Sequence, residues 1–318
     1  METMKAVVCT KYGPPEVLRI VQYKKPIPRD DEVLINIYAT SVTNSDIFIR
    51  SSKVSLRLVI PFRMMMGVRK PRKEIIGEVL SGVVSEVGSK ITRFHVGDHV
   101  FGLTGFSLGA YAEYKCMKEV DSKQGCLSIK PKNITFEEAT SAAYGGLLAF
   151  QSLEKADVRA NAKVLIYGAS GTSGTVAVQL AKHLQADVTG VCGPKHISFV
   201  EELGADKTLD YTNDDEIGKL EVYDLVLDCV GKARSSALKE ACRMALTKNG
   251  KYVSIDDSAL LLDSSRLDRI RELIELGKIK PINDRCYPLD QIVEAHKYVE
   301  LGHKKGNTAI TVNRLAWH

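Results

Sequence analysis

Alternating apolar and polar positions mark the first part of the chain as rich in β-strand. Short runs of apolar and β-branched residues are separated by turns that contain glycine and proline, a spacing typical of a small barrel-like domain. The predicted strands of this part are Lys5–Thr10, Glu32–Ala39 and Val79–Val87. The chain is therefore expected to begin with a β-rich domain.

Helical periodicity replaces this alternation near residue 131. Thr135 and Glu138 have the spacing of a capping box and predict a helix start, and two helical stretches divided near Gly145-Gly146 follow to about Ala156. Strands and helices then alternate. The predicted strands are Lys163–Tyr167, Asp187–Cys192, Thr208–Leu209, Asp224–Asp228 and Lys251–Ile255; the predicted helices are Thr175–Leu184, Ile197–Leu203 and Ala233–Leu246. Such alternation predicts βαβ units, a parallel sheet and helices on both of its faces.

The last part of the chain returns to mixed elements. Two helices are predicted, at Leu267–Leu276 and Asp290–Leu301, and a final strand at Thr308–Val312 is expected to rejoin the first domain. A length of 318 residues suits two domains. We expect one domain over residues 1–128 and 262–318 and a second over residues 129–261.

The composition narrows the class of protein. Hydrophobic residues make up 44% and charged residues 26%, which is ordinary for a globular protein. No apolar stretch reaches the roughly 20 residues of a membrane span, so no membrane partner is expected. The start of the chain lacks the apolar region of a secretory signal, which favours a cytoplasmic protein. The seven cysteines are scattered without C-x-x-C spacing, which argues against a disulfide framework and a four-cysteine zinc site.

The charge is modest but uneven. A net charge of +5 is no nucleic-acid signature by itself, and no nucleic-acid partner is expected. One segment concentrates basic residues: Arg57, Arg63, Arg69, Lys70, Arg72 and Lys73. Aromatic residues do not interleave with them, so a solvated loop is the first interpretation and phosphate contact the second. For Met64-Met65-Met66 in the same segment, core packing is favoured over contact with a flat apolar ligand.

A glycine-rich turn carries the most specific chemistry. It lies directly after one predicted strand and before a helix, and its residues are Gly168, Ala169, Ser170, Gly171, Thr172, Ser173 and Gly174. In such a turn the first glycine permits a sharp bend, the second lets main chain approach a pyrophosphate, and the third lets the helix pack closely on the sheet. The helix N-terminus then offers N–H groups and a partial positive charge to the phosphates. A nicotinamide dinucleotide is the expected ligand.

The end of the second strand favours NADP(H) over NAD. An NAD site usually places an acid there, about 20 residues past the glycines, to bind the ribose hydroxyls. Residues 191–196 include Cys192 and Lys195 and contain no acid. A lysine attracts the adenosine 2′-phosphate, whereas an acid repels it. Lys195 is therefore the main candidate for 2′-phosphate recognition.

Beyond these features, the chain resembles the zinc-independent quinone oxidoreductases of the medium-chain dehydrogenase/reductase family over nearly its whole length. The motifs that carry the resemblance are Tyr12–Leu18, Ser41–Asp46, Val96–Gly102, Gly109–Tyr114, Val178–Lys182, Leu203–Asp206 and Asp228–Gly231. The resemblance implies an α/β fold with a GroES-like β-barrel catalytic domain and a Rossmann domain, whose doubly wound parallel sheet binds the cofactor.

The same resemblance implies roles for single residues. Asn44 matches a position beside the nicotinamide ribose and the active site. Lys195 and Tyr211 match positions that contact the 2′-phosphate. Val230 and Ser254, at the ends of later strands, match positions near the cofactor. The short segment 256–266 replaces a longer insertion that commonly supplies the family's dimer strand, so both a monomer and a homodimer stay open.

Zinc alcohol dehydrogenases also resemble the chain, but their ligand positions differ. Thr43 stands where their cysteine ligand stands, and Glu78 where their histidine ligand stands; one carboxylate without thiolate or imidazole neighbours makes a poor zinc site. We therefore expect no bound metal. The expected reaction is hydride transfer from NADPH to a quinone or an α,β-unsaturated carbonyl.

Three questions stay open at this stage. Asn44 is expected to orient the substrate, while Asp46 is either a polar anchor in the active site or a helix cap. Tyr12, Tyr38 and Tyr111 are unranked candidates for a proton donor. The alternative functions are an alcohol or aldehyde dehydrogenase and a non-catalytic NADPH-binding protein that acts as a sensor or binds nucleic acid.

Overall fold

The protein forms two compact units in a computed structural model that describes residues 2–53, 56–231 and 234–313. The first unit contains the described residues up to Ala143, Leu262–Arg271 and the residues from Asn283 onward. The second contains Tyr144–Leu261 and Glu272–Ile282.

The described residues contain fourteen strands and eight α-helices. The strands are β1 (Thr3–Cys9), β2 (Leu18–Lys24), β3 (Glu32–Ser41), β4 (Val79–Val87), β5 (His99–Leu103), β6 (Tyr114–Lys118), β7 (Cys126–Ile129), β8 (Lys163–Tyr167), β9 (Asp187–Cys192), β10 (Lys207–Asp210), β11 (Tyr223–Asp228), β12 (Leu246–Ser254), β13 (Asn283–Pro288) and β14 (Asn307–Thr311). The helices are α1 (Asn44–Ser51), α2 (Leu56–Met66), α3 (Phe136–Ala156), α4 (Thr172–His183), α5 (Ile197–Glu202), α6 (Ala237–Met244), α7 (Ser264–Glu275) and α8 (Ile292–Glu300).

The first unit is built on a seven-stranded sheet. Its strand order is β13-β14-β3-β4-β5-β7, with β6 added to β3, and β1 pairs with β2 in a separate antiparallel ribbon. Strand β3 lies at the centre, and its apolar side chains Val33, Ile35 and Ile37 are completely buried. Strand β14 runs antiparallel to β3, with Ala309 opposite Ser41, so the final strand does rejoin the first unit as predicted.

The second unit is a doubly wound α/β sheet, which confirms the predicted fold class. Five parallel strands lie in the order β10-β9-β8-β11-β12. The register aligns Tyr167 with Val191 and with Asp228, and Asp228 with Ser254, so the strands end at one edge. Because ligands of such sheets bind outside the carboxyl ends, this edge is where a cofactor site is expected.

Two predicted helices differ from the structure. Helix α3 is continuous through Gly145, where two helices were predicted, because that glycine accommodates a close packing contact: a Cβ there would lie 2.5 Å from the carbonyl oxygen of Thr172. The predicted helix Ala233–Leu246 starts outside the described residues, and its described part is the shorter α6, since the chain from Leu246 onward pairs with β11.

Helix α2 was also missed, because a solvated loop was the first interpretation of the segment that contains Arg57 and Arg63. Met64 and Met65 lie on this helix, and 66% and 60% of their surfaces are exposed. The core role favoured for them is therefore wrong, and only Met66 packs against the core of the first unit. The predicted solvated loop is confirmed for four exposed residues: Arg69, Lys70, Arg72 and Lys73. The Arg57 side chain lies outside the described residues.

Candidate functional site

The glycine-rich turn joins β8 to α4 through two tight contacts. Gly168 has φ +83°, and a Cβ there would lie 2.6 Å from Val230 Cγ2. At Gly174 a Cβ would lie 2.1 Å from the carbonyl oxygen of Gly168. The main-chain N–H groups of Gly168 and Ala169 both donate to the carbonyl of Val191, at 2.9 Å, which ties the turn to β9. Neither glycine can be replaced without moving the turn.

The start of α4 is open to a ligand. Its N-cap residue is Gly171, so no side chain caps the first turn. A Cβ at Gly171 would meet only the Gly168 carbonyl oxygen, at 3.4 Å, so other protein atoms stay clear of this point. Ser170 is partly exposed, whereas the Ser173 hydroxyl is buried against the Cys229 thiol. A helix N-terminus with this access is a ready anion site.

Residues after β9 and β10 bring a cation and an aromatic ring to neighbouring positions. Lys195 is exposed in a short 3₁₀ helix, Pro194–His196, and within the described ranges its ammonium group has no ion-pair partner. Tyr211 follows β10, and its ring lies beside Gly193, where a Cβ would be 3.4 Å from Tyr211 Cε1. The structure therefore places the Tyr211 ring beside the loop that leads from β9 to Lys195.

Two further side chains near these candidates, those of Cys192 and Asp210, are buried or hydrogen-bonded within the protein. The Cys192 thiol is buried, and burial raises its pKa to about 12, so it stays protonated. Asp210 ends β10, opposite Cys192, and its carboxylate accepts hydrogen bonds from the main chain and hydroxyl of Thr212 at 2.9 and 2.8 Å. The Asp210 carboxylate is thus already hydrogen-bonded to Thr212.

A buried ion pair holds the loop that follows β11. The Asp228 carboxylate lies 2.9 Å from Lys239 Nζ and accepts a 2.8 Å hydrogen bond from the Tyr252 hydroxyl. Its second oxygen accepts from the main-chain N–H groups of Val230 and Gly231, at 3.0 and 3.1 Å. Because a buried charge needs a partner and hydrogen bonds, this network fixes the conformation of the loop.

Ser254 is joined to the same network. Its buried hydroxyl donates to Asp228 Oδ2 at 3.4 Å. Sequence reasoning missed Lys239 and Tyr252, since a lysine and a tyrosine in amphipathic elements normally indicate an exposed face. The sequence did point to Asp228, because it is the first residue of the family motif Asp228–Gly231.

In the first unit, Thr43 and Asp46 form a closed capping box at the start of α1. Thr43 Oγ1 accepts from the main-chain N–H of Asp46 at 3.0 Å and donates to Asp46 Oδ2 at 2.8 Å. The same carboxylate oxygen accepts from the Thr43 main-chain N–H at 2.9 Å. Of the two roles left open for Asp46, the structure shows the cap; a direct role in a reaction stays a prediction. Asn44, one residue along, is exposed.

Glu78 lies beside this box and carries the most perturbed carboxyl group of the site. Burial and the neighbouring Asp46 carboxylate raise the pKa of Glu78 to about 8, against the opposing effect of the nearby Ser45 and Thr43 hydroxyl groups. Burial also raises the pKa of Asp46, to about 6. Two carboxyl groups that share a poorly hydrated site cannot both ionise easily, so at neutral pH Glu78 retains its proton.

Tyr111 and His296 form the buried floor of this cluster. The Tyr111 hydroxyl lies 3.1 Å from His296 Nε2 and near Asp46, although Asp46 Oδ1 has no described partner with hydrogen-bond geometry. Burial, reinforced by the Arg50 charge, lowers the pKa of His296 to about 3, so its ring is neutral. Burial raises the pKa of Tyr111.

The other tyrosine candidates are only partly exposed. The Tyr12 hydroxyl donates to the Gly67 carbonyl at 2.8 Å, and the ring of Tyr38 stacks on Phe136.

Comparison with known proteins connects this geometry to a family. Residues 29–128 match the "Alcohol dehydrogenase GroES-like domain" model, and residues 174–256 and 258–310 match two models described as "Zinc-binding dehydrogenase". The chain is 30% identical to the "NAD(P)H oxidoreductase RTN4IP1, mitochondrial" of Mus musculus, over 97% of this chain and 89% of that protein. It belongs to the medium-chain dehydrogenase/reductase family.

Two further relatives illustrate the range of the family. The "NADPH-dependent alkenal/one oxidoreductase, chloroplastic" of Arabidopsis thaliana is 27% identical, over 96% of this chain and 79% of that protein. The quinone oxidoreductase from Coxiella burnetii has 25% sequence identity and a TM-score of 0.82, covering 98% of this chain and 100% of that one. The predicted family and its GroES-like and Rossmann folds are thus confirmed.

Because the family includes zinc-binding dehydrogenases, the residues at the zinc-ligand positions, Thr43 and Glu78, can be compared with metal ligands. The Thr43 hydroxyl is committed to the cap, and Glu78 faces Thr43 and Ser45. Across the described ranges, no group of three or more histidine, cysteine, aspartate or glutamate side chains is placed to hold a metal ion. In the same part of the chain, no helix has the length and apolar character that crossing a membrane requires.

Proposed function

We propose that the protein is an NADPH-dependent reductase that transfers hydride to a quinone or an α,β-unsaturated carbonyl without a catalytic zinc ion. The observation that carries the proposal is the uncapped helix start at Gly171 combined with Lys195, which is exposed just after β9 and has no ion-pair partner among the described residues. The names of the Arabidopsis and Coxiella relatives support the reaction class.

The residues of the second unit fit the cofactor. Gly168 to Gly174 would hold the pyrophosphate, because the open approach at Gly171 lets phosphate oxygens reach uncapped N–H groups. Lys195 and Tyr211 would hold the 2′-phosphate, and the loop that contains Val230, together with Ser254, would border the nicotinamide half. When bound, NADPH supplies a hydride.

The first unit would supply positioning and a proton. Asn44 is exposed at the first turn of α1 and would orient the substrate. Reduction of a conjugated carbonyl by hydride leaves an enolate, which must then take up a proton. Glu78 holds a proton at neutral pH, so we assign the proton-holding role to Glu78 rather than to the fully buried Tyr111.

The local bonding also favours a reaction without zinc. Catalytic zinc sites combine thiolate, imidazole and carboxylate ligands. The Thr43 hydroxyl serves as both donor and acceptor within the cap, and Glu78 is a lone carboxyl group beside it. Neither position supplies a thiolate or an imidazole.

A substrate panel tests the proposed activity. Loss of NADPH absorbance is followed with quinones, enals and enones, with NADH in parallel and with and without a chelator. We expect turnover of at least one class with NADPH, unaffected by the chelator. Tight NADPH binding with no turnover across the panel would favour a non-catalytic role, and alcohol oxidation that a chelator abolishes would favour a zinc dehydrogenase.

Charge reversal at Lys195 tests the cofactor preference. A charge-assisted hydrogen bond is worth about 1.5–3 kcal/mol, so Lys195→Glu should raise the KM for NADPH roughly 10- to 100-fold and leave that for NADH nearly unchanged. Lys248→Glu is the matched control, since Lys248 is exposed near the start of β12, away from the carboxyl ends of the strands. Equal losses with both cofactors would show a general defect instead.

A further inference from the structure

One segment of the first unit carries the positive excess of the whole chain. Between Lys53 and Lys73 the sequence has seven lysine and arginine residues and no aspartate or glutamate. The remaining residues contain 37 basic and 39 acidic side chains, so the chain outside this segment is slightly acidic. We call residues 53–73 the basic segment.

The basic segment also presents an apolar surface. Four of its apolar side chains are largely exposed: Ile60 (71%), Met64 (66%), Met65 (60%) and Val68 (68%). Ile60 and Met64 are one helical turn apart on α2, so they share a face. Large apolar side chains that cluster on a surface mark an interaction site, whereas scattered ones do not.

The opposite side of α2 anchors it to the protein. Phe62 is 8% exposed and packs edge-on against Phe48, with ring centroids 5.0 Å apart. Met66 packs against the core of the first unit, and Arg72 donates a 2.7 Å hydrogen bond to the Met64 carbonyl. The exposed side chains of Ile60, Met64 and Met65 are therefore carried on an anchored helix.

Among the described cations around this surface, only Lys70 has an acidic partner within the described ranges. Lys70 pairs with Glu74, and the Arg63 guanidinium lies over the Tyr12 ring at 5.4 Å. For Arg69 and Lys73 no ion pair occurs among the residues that the structure describes, and both are exposed. Cations without internal partners are available to an external anion.

We propose that the basic segment docks the protein onto the surface of an anionic lipid bilayer. Helices that lie in a membrane interface combine an apolar face with lysine and arginine, and the apolar face enters the boundary between headgroups and acyl chains. Here Met64, Met65 and Val68 would enter that boundary, while Arg69 and Lys73 contact lipid phosphates. A single-stranded nucleic acid fits less well, because it needs an aromatic stacking platform and the exposed apolar residues of this segment are aliphatic.

Vesicle flotation tests the proposal with the full-length protein. We expect it to float with phosphatidylcholine vesicles that contain phosphatidylserine, and to bind them much less in high salt. Arg69→Gln combined with Lys73→Gln should weaken binding roughly 30-fold, since each basic residue near an anionic surface contributes roughly fivefold. Met64→Ser combined with Met65→Ser should weaken it roughly tenfold or more.

Matched controls distinguish binding through this surface from non-specific adsorption to the vesicles. Met244→Ser removes a methionine that is 85% exposed on the second unit, and Lys248→Glu removes a positive charge from the same unit; both should leave flotation unchanged. Circular dichroism checks that each variant is folded, and the Arg69/Lys73 pair still tests the idea if the methionine variant does not fold.

Three results would overturn the proposal. One is no flotation with anionic vesicles at low salt. Another is equal flotation by wild type and the Arg69/Lys73 variant. The third is binding of single-stranded RNA, lost in that variant, without binding of lipid, which would assign the segment to nucleic acid.

Discussion

The proton on Glu78 predicts that removing this acid changes how stability depends on pH. In the folded protein its pKa is about 8, whereas an unfolded chain has an ordinary glutamate near 4.5. The folded state therefore binds the proton more tightly. Stability that this group contributes is fully present below pH 4.5 and is lost as the pH rises toward 8.

The size of the effect follows from the two pKa values. Each unit of difference is worth about 1.36 kcal/mol, so from pH 5 to pH 7 the wild type should lose about 2 kcal/mol that Glu78→Gln does not lose. Glutamine has the shape of the protonated acid and can keep the contacts with Ser45 and Thr43. We expect the variant to resemble the wild type at pH 5 and to be more stable at pH 8.

Urea unfolding at several pH values, followed by circular dichroism, measures the difference. Glu86→Gln is the matched control, because Glu86 lies on β4, the strand that begins one residue after Glu78, with half of its side chain exposed. The pH dependence of the Glu78→Gln difference is compared with that of this control. A constant difference for Glu78→Gln across pH 5 to 8 would refute the account of a protonated Glu78.

Two further predictions use the same protein. His296 is completely buried with a pKa of about 3, so below pH 6.5 the unfolded state binds a proton that the folded state does not bind. From pH 7 to pH 5 the wild type should therefore lose about 2 kcal/mol of stability that His296→Gln retains. The same urea titrations measure this difference. Gly174→Ala places a Cβ 2.1 Å from the Gly168 carbonyl and should lower the melting temperature and weaken NADPH binding, whereas Gly218→Ala, with nothing within 4 Å, should change neither; calorimetry and fluorescence titration check both.

Local signals explain what sequence reasoning placed correctly. The box of Thr135 and Glu138 forms as predicted, with hydrogen bonds of 2.8 and 3.1 Å, because the capping motif depends on residues only three apart. Strands β8 and β9 have their predicted bounds because both are short apolar runs bounded by turns. The turn at Gly168 followed from its position between such a strand and a helix.

Features set by distant neighbours were missed. Helix α2 contains Pro61 and a broad apolar surface, so its sequence lacks the stripe that marks a surface helix. Lys239 pairs with Asp228 across eleven residues, and no local pattern distinguishes it from a solvated lysine. The raised pKa of Glu78 depends on Asp46 and on burial, neither of which periodicity reveals.

The capping box also constrains the chemistry of the proposed reaction. A zinc ion stabilises negative charge on a reduced carbonyl as a Lewis acid. In this chain the corresponding threonine closes a helix cap, and the adjacent acid is neutral at physiological pH. A neutral acid can instead protonate the enolate, which removes the negative charge that a zinc ion would stabilise. The proposed conjugated acceptor, which becomes an enolate on taking up hydride, would obtain its proton from this acid.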